Sequence, residues 1–206
     1  MKLIIFTGPP ASGKSSIAET VAKRLGLDLT SKDACKIALF ERFGFTSHAE
    51  KKRLSIQGES DMHEIVKRHV EQDRDIVIDN NYKNYDDLRA IISSSNVGIA
   101  VYCICVTADY GLLARRYNKR ISSGNRHQAL YTLNQYPVVA GVSEFHHAID
   151  DGDVERIESK VTEKSFGQNV LHLNTDRIES EFDMLCNRAV DFIQGDGALF
   201  CQNKKC

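Results

Sequence analysis

The sequence predicts an α/β fold, a three-layer sandwich in which helices cover both faces of a mostly parallel five-stranded sheet. Three observations predict it. Short apolar runs alternate along the chain with longer segments of helical period. A glycine-rich turn, Gly8-Pro9-Pro10-Ala11-Ser12-Gly13-Lys14-Ser15, joins the first apolar run to the first helical segment. A third run, Ile76-Val77-Ile78, ends in a carboxylate, Asp79.

The elements follow in order. Lys2 to Thr7 is the first strand, and Ser16 to Leu25 a helix with Ile17, Val21, Ala22 and Leu25 on one face. Leu27 to Thr30 is a short second strand. Asp33 to Phe43 is a helix that Ser31 caps and Gly44 stops. A long helix runs from about His48 to Gln72. Asp75 to Asp79 is a strand, Tyr85 to Ile92 a helix, and Val97 to Val106 a strongly apolar strand. Asp109 to Ile121 is a basic helix. Val170 to Leu173 and Glu179 to Ile193 are the last strand and helix. Ser122 to Val142 is irregular and polar, and the whole stretch to Lys164 is the least regular part, a mobile lid. No repeat or linker divides the chain. One domain spans 1–194, with a helical lid over roughly 115–142, and 195–206 reads as a disordered tail.

The chain has 206 residues, 42% hydrophobic and 27% charged, the composition of a soluble globular domain with a sizeable core. A net charge of −1 gives no global electrostatic argument for a nucleic acid or an anionic membrane as partner. No apolar run approaches the roughly 20 residues of a membrane span. The N-terminal run is too short for a signal peptide, so a cytoplasmic location is expected. The six cysteines lack paired C-x-x-C spacing; Cys103 and Cys105 point the same way in a strand and read as buried free thiols.

Gly8 to Ser15 fits G-x-x-x-x-G-K-[ST], the phosphate-binding P-loop, between a strand and a helix N-terminus. Backbone amides and the helix dipole favour an anion there. Lys14 is expected to reach the β- and γ-phosphates of a bound nucleotide. The Ser15 hydroxyl is expected on Mg²⁺, and Ser16 with the rest of the loop on the nucleotide. Asp79, at the carboxyl end of its strand, is placed to support the Mg²⁺ shell. The bland alternative is a polar cap on a buried strand. Asn80 and Asn81 either position nucleotide or substrate or shape the turn.

Asp33 and Lys36 lie three apart on one helical face. The carboxylate is suited to accept a proton from an attacking hydroxyl, and the lysine to hold an anionic group. Equally, Asp33 favours the helix start by its charge and Lys36 is a solvated surface group. Arg116 and Arg120 share a face of the basic helix, and Arg126 and His127 follow. Phosphoryl transfer needs cations on the γ-phosphate, and arginine suits this. Asn118-Lys119-Arg120-Ile121 lacks the aspartate of the guanine-reading Asn-Lys-x-Asp motif, which excludes a GTPase reading. His69 falls on an apolar stripe, and His146-His147 reads as a surface pair.

Together, Gly8 to Ser15, Ser31-Lys32-Asp33-Ala34-Cys35-Lys36, Ile76 to Asn81 and Arg116-Tyr117-Asn118-Lys119-Arg120 resemble the P-loop kinases of the polynucleotide-kinase and zeta-toxin type. The resemblance covers roughly the first 130 residues. It implies a P-loop NTPase fold and a cleft where the ATP γ-phosphate passes to an acceptor hydroxyl. It implies Asp33 as general base, Lys36 on the acceptor, Asp79 as the strand-end carboxylate and Arg120 as the lid arginine. Lys36 stands where polynucleotide kinases of this type carry arginine, which lacks the bidentate fit to phosphate. From Val138 onward the resemblance stops. The sequence therefore points to an ATP- and Mg²⁺-dependent kinase acting on a small molecule or nucleotide. The alternatives are a nucleotide-binding regulatory ATPase and a toxin-like nucleotide-sugar kinase.

Overall fold

A computed structural model describes residues 1–124, 126–161 and 163–195. The expected disordered tail, with Cys201 and Cys206, falls from 196 onward outside the described residues.

The order is β1 (Lys2–Thr7), α1 (Lys14–Leu25), β2 (Asp28–Ser31), α2 (Lys32–Phe43), α3 (His48–Glu71), β3 (Ile76–Asp79) and α4 (Asp86–Ser93). It continues with β4 (Ala100–Thr107), α5 (Tyr110–Ser123), a 3-10 turn (Gln128–Leu130), α6 (Asp151–Ser159), β5 (Asn169–Asn174) and α7 (Ile178–Gln194). The strands lie in the order β2-β3-β1-β4-β5, and every pairing is parallel. β1 sits at the centre, so both of its faces must be apolar: Leu3, Ile4, Ile5 and Phe6 are all fully buried.

Alternation along β1 sends Ile4 and Phe6 to one layer, with Ile17 and Val21 of α1 and Leu185 and Ala189 of α7. Leu3 and Ile5 face the other, with Met62 and Val66 of α3 and Leu88 of α4. Each such apolar side chain contributes about 1.5–3 kcal/mol on burial. Cys103 and Cys105 are buried free thiols with their sulfurs 3.8 Å apart on the second face. Among the described residues no helix is long and apolar enough to cross a membrane.

The stretch after α5 departs from expectation in two ways. It contains α6, absent from the sequence reading. Asp150 and Asp153 cap α6 reciprocally, and Val154 is its buried residue, so the segment offers little apolar period to read. The stretch is also anchored: Ala129 and Leu130 pack against Phe40 of α2, Leu54 of α3 and Phe45 between them. The lid-like segment is thus clasped onto the α2–α3 hairpin.

Candidate active site

The carboxyl ends of β1, β3 and β4 meet the N-terminus of α1. Gly8 has φ 149°, and a Cβ there would lie 2.0 Å from the Val106 carbonyl oxygen, so only glycine lets the loop pass β4 this closely. Ala11 and Gly13 are also left-handed, at φ 64° and 85°. α1 begins without a side-chain cap and without an acidic residue in its first turn. Its first amides and dipole are therefore left for an anion. At the other end, Gly26 closes the helix by donating to the Ala22 and Lys23 carbonyls.

The loop is tied down from across the sheet. Thr175, fully buried after β5, donates through Oγ1 to the Ser12 carbonyl at 2.8 Å and lies 3.1 Å from that of Thr107. Arg116 of α5 in turn donates to the Thr175 carbonyl at 2.7 Å and the Asp176 carbonyl at 3.3 Å. Arg116 is therefore engaged with the β5–α7 corner and not with the group around Lys14, where the sequence reading had placed it.

Lys14 Nζ stands 3.6 Å from Asp79 Oδ1. That oxygen is buried and, among the described residues, accepts no hydrogen bond. Burial lowers the Lys14 pKa; Asp79 opposes the shift, while the charges of Arg126 and Arg120 add to it. Both arginines thus lie within electrostatic reach of the loop lysine. Arg120 Nε is buried without a hydrogen-bond partner among the described residues, and the guanidinium lies 5.9 Å from the Tyr117 ring centre.

Asp33 sits in the first turn of α2, whose cap is Ser31 accepting from the Ala34 amide. Its carboxylate bridges two cations: Lys36 Nζ at 2.9 Å and the Arg126 guanidinium from the lid segment. Lys36, Arg126 and Lys14 are partly buried, so this is a shielded polar cluster and not a solvated charge run. Burial lowers the Lys36 pKa, opposed by Glu59.

Asn80 is nearly inaccessible. Its amide donates to the Phe6 carbonyl and its side chain to Glu59 Oε1 at 3.3 Å, so it joins β1 to α3. Asn81 lines two cavities, one of about 190 Å3 beside Gly8 and Pro9 and one of about 470 Å3 with Lys32 and Glu59. His127 contacts Glu41 at 3.2 Å. His69 bonds the Ile65 carbonyl and Asp28.

Several site residues were not singled out from the sequence. Glu59 pairs with Lys32 at 2.5 Å. Gly58 lets α3 lie against the backbone of Lys36; a lone glycine inside a helical pattern was its signal. Lys51 donates to the Thr132 carbonyl. His146 is half-buried: its backbone donates to the Tyr131 carbonyl and its Nδ1 lies 3.0 Å from the Tyr117 hydroxyl. Burial, then the charges of Lys51, Lys36, Arg126 and His147, push its pKa down to about 4.

A central parallel strand, a left-handed glycine loop and an uncapped helix N-terminus define an α/β P-loop nucleotide-binding fold. The chain belongs to the AAA domain family, whose model matches residues 4–132. Several solved structures share the fold. A protein from Chloroflexus aurantiacus J-10-fl, described as a "putative kinase", is 21% identical with a TM-score of 0.71, over 94% of this chain and 98% of that one. A gluconokinase from Sinorhizobium meliloti 1021 is 12% identical with a TM-score of 0.55, over 93% and 91%. A sugar kinase from Janibacter sp. HTCC2649 is 13% identical with a TM-score of 0.55, over 96% and 97%. No curated protein matches the chain.

Proposed function

We propose that the protein is an ATP-dependent phosphotransferase that moves the γ-phosphate to a hydroxyl of a small molecule or nucleotide. One observation carries this reading: Asp33 is a carboxylate held by Lys36 and Arg126, and the charge of that same Arg126 reaches the P-loop lysine. A nucleotide-binding loop alone needs no such carboxylate. The shared fold of proteins titled kinases is in keeping with it. The polynucleotide-kinase and zeta-toxin type is the finer part of the proposal and rests on the motif order.

The residues divide the work. The non-proline amides of Gly8 to Ser16 and the Lys14 ammonium cradle the phosphates. Asp33 Oδ accepts the proton of the acceptor hydroxyl, the acceptor oxygen attacks the γ-phosphorus, and the bond from that phosphorus to the β–γ bridging oxygen breaks so that ADP leaves. Arg120 and Arg126 stabilise charge on the equatorial oxygens. Arg116 holds Thr175, and through it the loop. Lys36 and Asn81 face the acceptor. The protein's contribution is positioning and electrostatics.

The buried Asp79 oxygen without a hydrogen-bond donor fits a divalent cation, and Ser15 with Asp79 would hold Mg²⁺ there. Held there, it would supply positive charge against the negative charge of the phosphates.

The test is transfer of labelled γ-phosphate to a panel of alcohols, sugars and nucleosides. Labelled organic product supports the reading. ATP hydrolysis alone, with no phosphorylated alcohol from any acceptor, replaces it with a regulatory ATPase.

A further inference from the structure

Lys51 is a partly buried ammonium, and the charge that acts on it is that of another lysine, Lys36. It donates to the Thr132 carbonyl and lies 5.7 Å from the Phe45 ring centre. Among the described residues no carboxylate pairs with it. An ammonium taken out of water without a counter-ion is unfavourable, so the fold keeps this one at a cost. Burial, then the nearby charge of Lys36, lowers its pKa to about 8. The same region holds a second unmet polar group: Thr132 is fully buried and its Oγ1 has no hydrogen-bond partner among the described residues.

Tyr131, Tyr117 and His146 form the adjoining wall. The His146 amide donates to the Tyr131 carbonyl, and its ring contacts the Tyr117 hydroxyl. Arg126 lies 6.0 Å from the Tyr131 ring centre. Lys36, Lys51 and Arg126 all act on His146, so the four side chains share one region. Three permanent or near-permanent cations converge, and Asp33, already shared by Lys36 and Arg126, is the carboxylate among them. Glu59 also acts on Lys36 but is itself paired with Lys32, so positive charge stays in excess among the described residues here.

We infer that Lys51 and His146, with Lys36, form an oxyanion subsite in the acceptor half of the cleft, so that the acceptor carries a carboxylate or phosphate besides its hydroxyl. Lys51 supplies the charge, His146 a neutral polar contact, and Thr132 a hydroxyl free to donate. Arg126 borders the subsite on the phosphoryl side. The statement about the acceptor rests on the phosphotransfer reading; the subsite does not.

The experiment titrates the full chain, saturated with Mg²⁺ and a non-hydrolysable ATP analogue, with glycerol, glycerate and glycerol 3-phosphate. His146 ring resonances in NMR report locally. Expected is a saturable shift with glycerate, glycerol 3-phosphate or both, and none with glycerol; the two anions decide between carboxylate and phosphate. Lys51→Gln weakens anion binding about tenfold, while Lys51→Arg restores most of it and both variants melt as wild type. Glycerol shifting the resonances as the anions do, no saturable shift with either anion, or full anion affinity in Lys51→Gln overturns the inference. Labelled-ATP transfer is measured in parallel. Transfer to neutral alcohols as efficient as to their anionic counterparts removes the subsite and leaves the phosphotransfer reading. Saturable anion binding with no transfer to any alcohol does the reverse.

Discussion

Gly58 of α3 touches Lys36 of α2 through the main chain: a Cβ at position 58 would lie 2.9 Å from the Lys36 nitrogen and 3.1 Å from its Cα. The two helices close on each other at the residue that pairs with Asp33. Glycine is ordinarily a weak choice inside a helix, by about 1 kcal/mol relative to alanine. Here the close approach requires it.

Gly58→Ala therefore sets that propensity gain against a clash with backbone that no rotamer relieves. Overpacking of this kind costs about 1–3 kcal/mol, so the variant loses stability in urea denaturation. Because α2 must move, acceptor KM rises more than ATP KM. A variant as stable as wild type would mean that the helices separate freely.

Asp33→Asn keeps the shape of the side chain and removes its basicity. Phosphoryl transfer falls about 10²–10⁴-fold, while affinity for an ATP analogue is unchanged or higher. Full transfer activity in this variant would remove Asp33 as the base.

Thr175→Val deletes the hydroxyl that binds the loop to the β5–α7 corner. The Ser12 carbonyl then loses a buried donor, at about 1–3 kcal/mol. Binding of the ATP analogue weakens with the loop, measured by calorimetry. Unchanged affinity and stability would show that the loop holds its form alone.

The His146 pKa of about 4 compares with an ordinary 6.5. Its folded-state pKa is depressed, so between these values the unfolded chain binds the extra proton. Stability is then lost as pH falls through the window, by about 2 kcal/mol at pH 5 relative to neutral pH. His146→Asn keeps a polar contact for Tyr117 and flattens this part of the pH profile. Denaturation at pH 7 and pH 5 measures both; parallel losses in the two proteins would count against His146.

The residues grouped around the loop could be singled out in the sequence because their signals are local. Gly8 to Ser15 is contiguous, Asp33 and Lys36 are a single helical turn apart, and Asp79 ends an apolar run. Lys51 and His146 could not, since their meaning arises from partners far along the chain. Lys51 meets Thr132 across 81 residues, and Thr175 meets Ser12 across 163. Arg116 and Arg120 looked equivalent at four-residue spacing, yet one faces the β5–α7 corner and the other lies within electrostatic reach of Lys14. Helix α6 was hidden by its polar sequence. The fold class needed none of these details, because β1 announces a central buried strand by itself.

Asp33 is held on one side by its own helix and on the other by the lid segment. In the phosphotransfer reading this has a consequence for economy of ATP. A carboxylate clamped between two cations is a poor base, so water entering an acceptor-free cleft finds little help in attacking the γ-phosphate. An acceptor that draws Lys36 onto itself, while the γ-phosphate draws Arg126, frees Asp33 at the moment the acceptor hydroxyl is in place. Idle hydrolysis is thereby suppressed by the same pairing that positions the base.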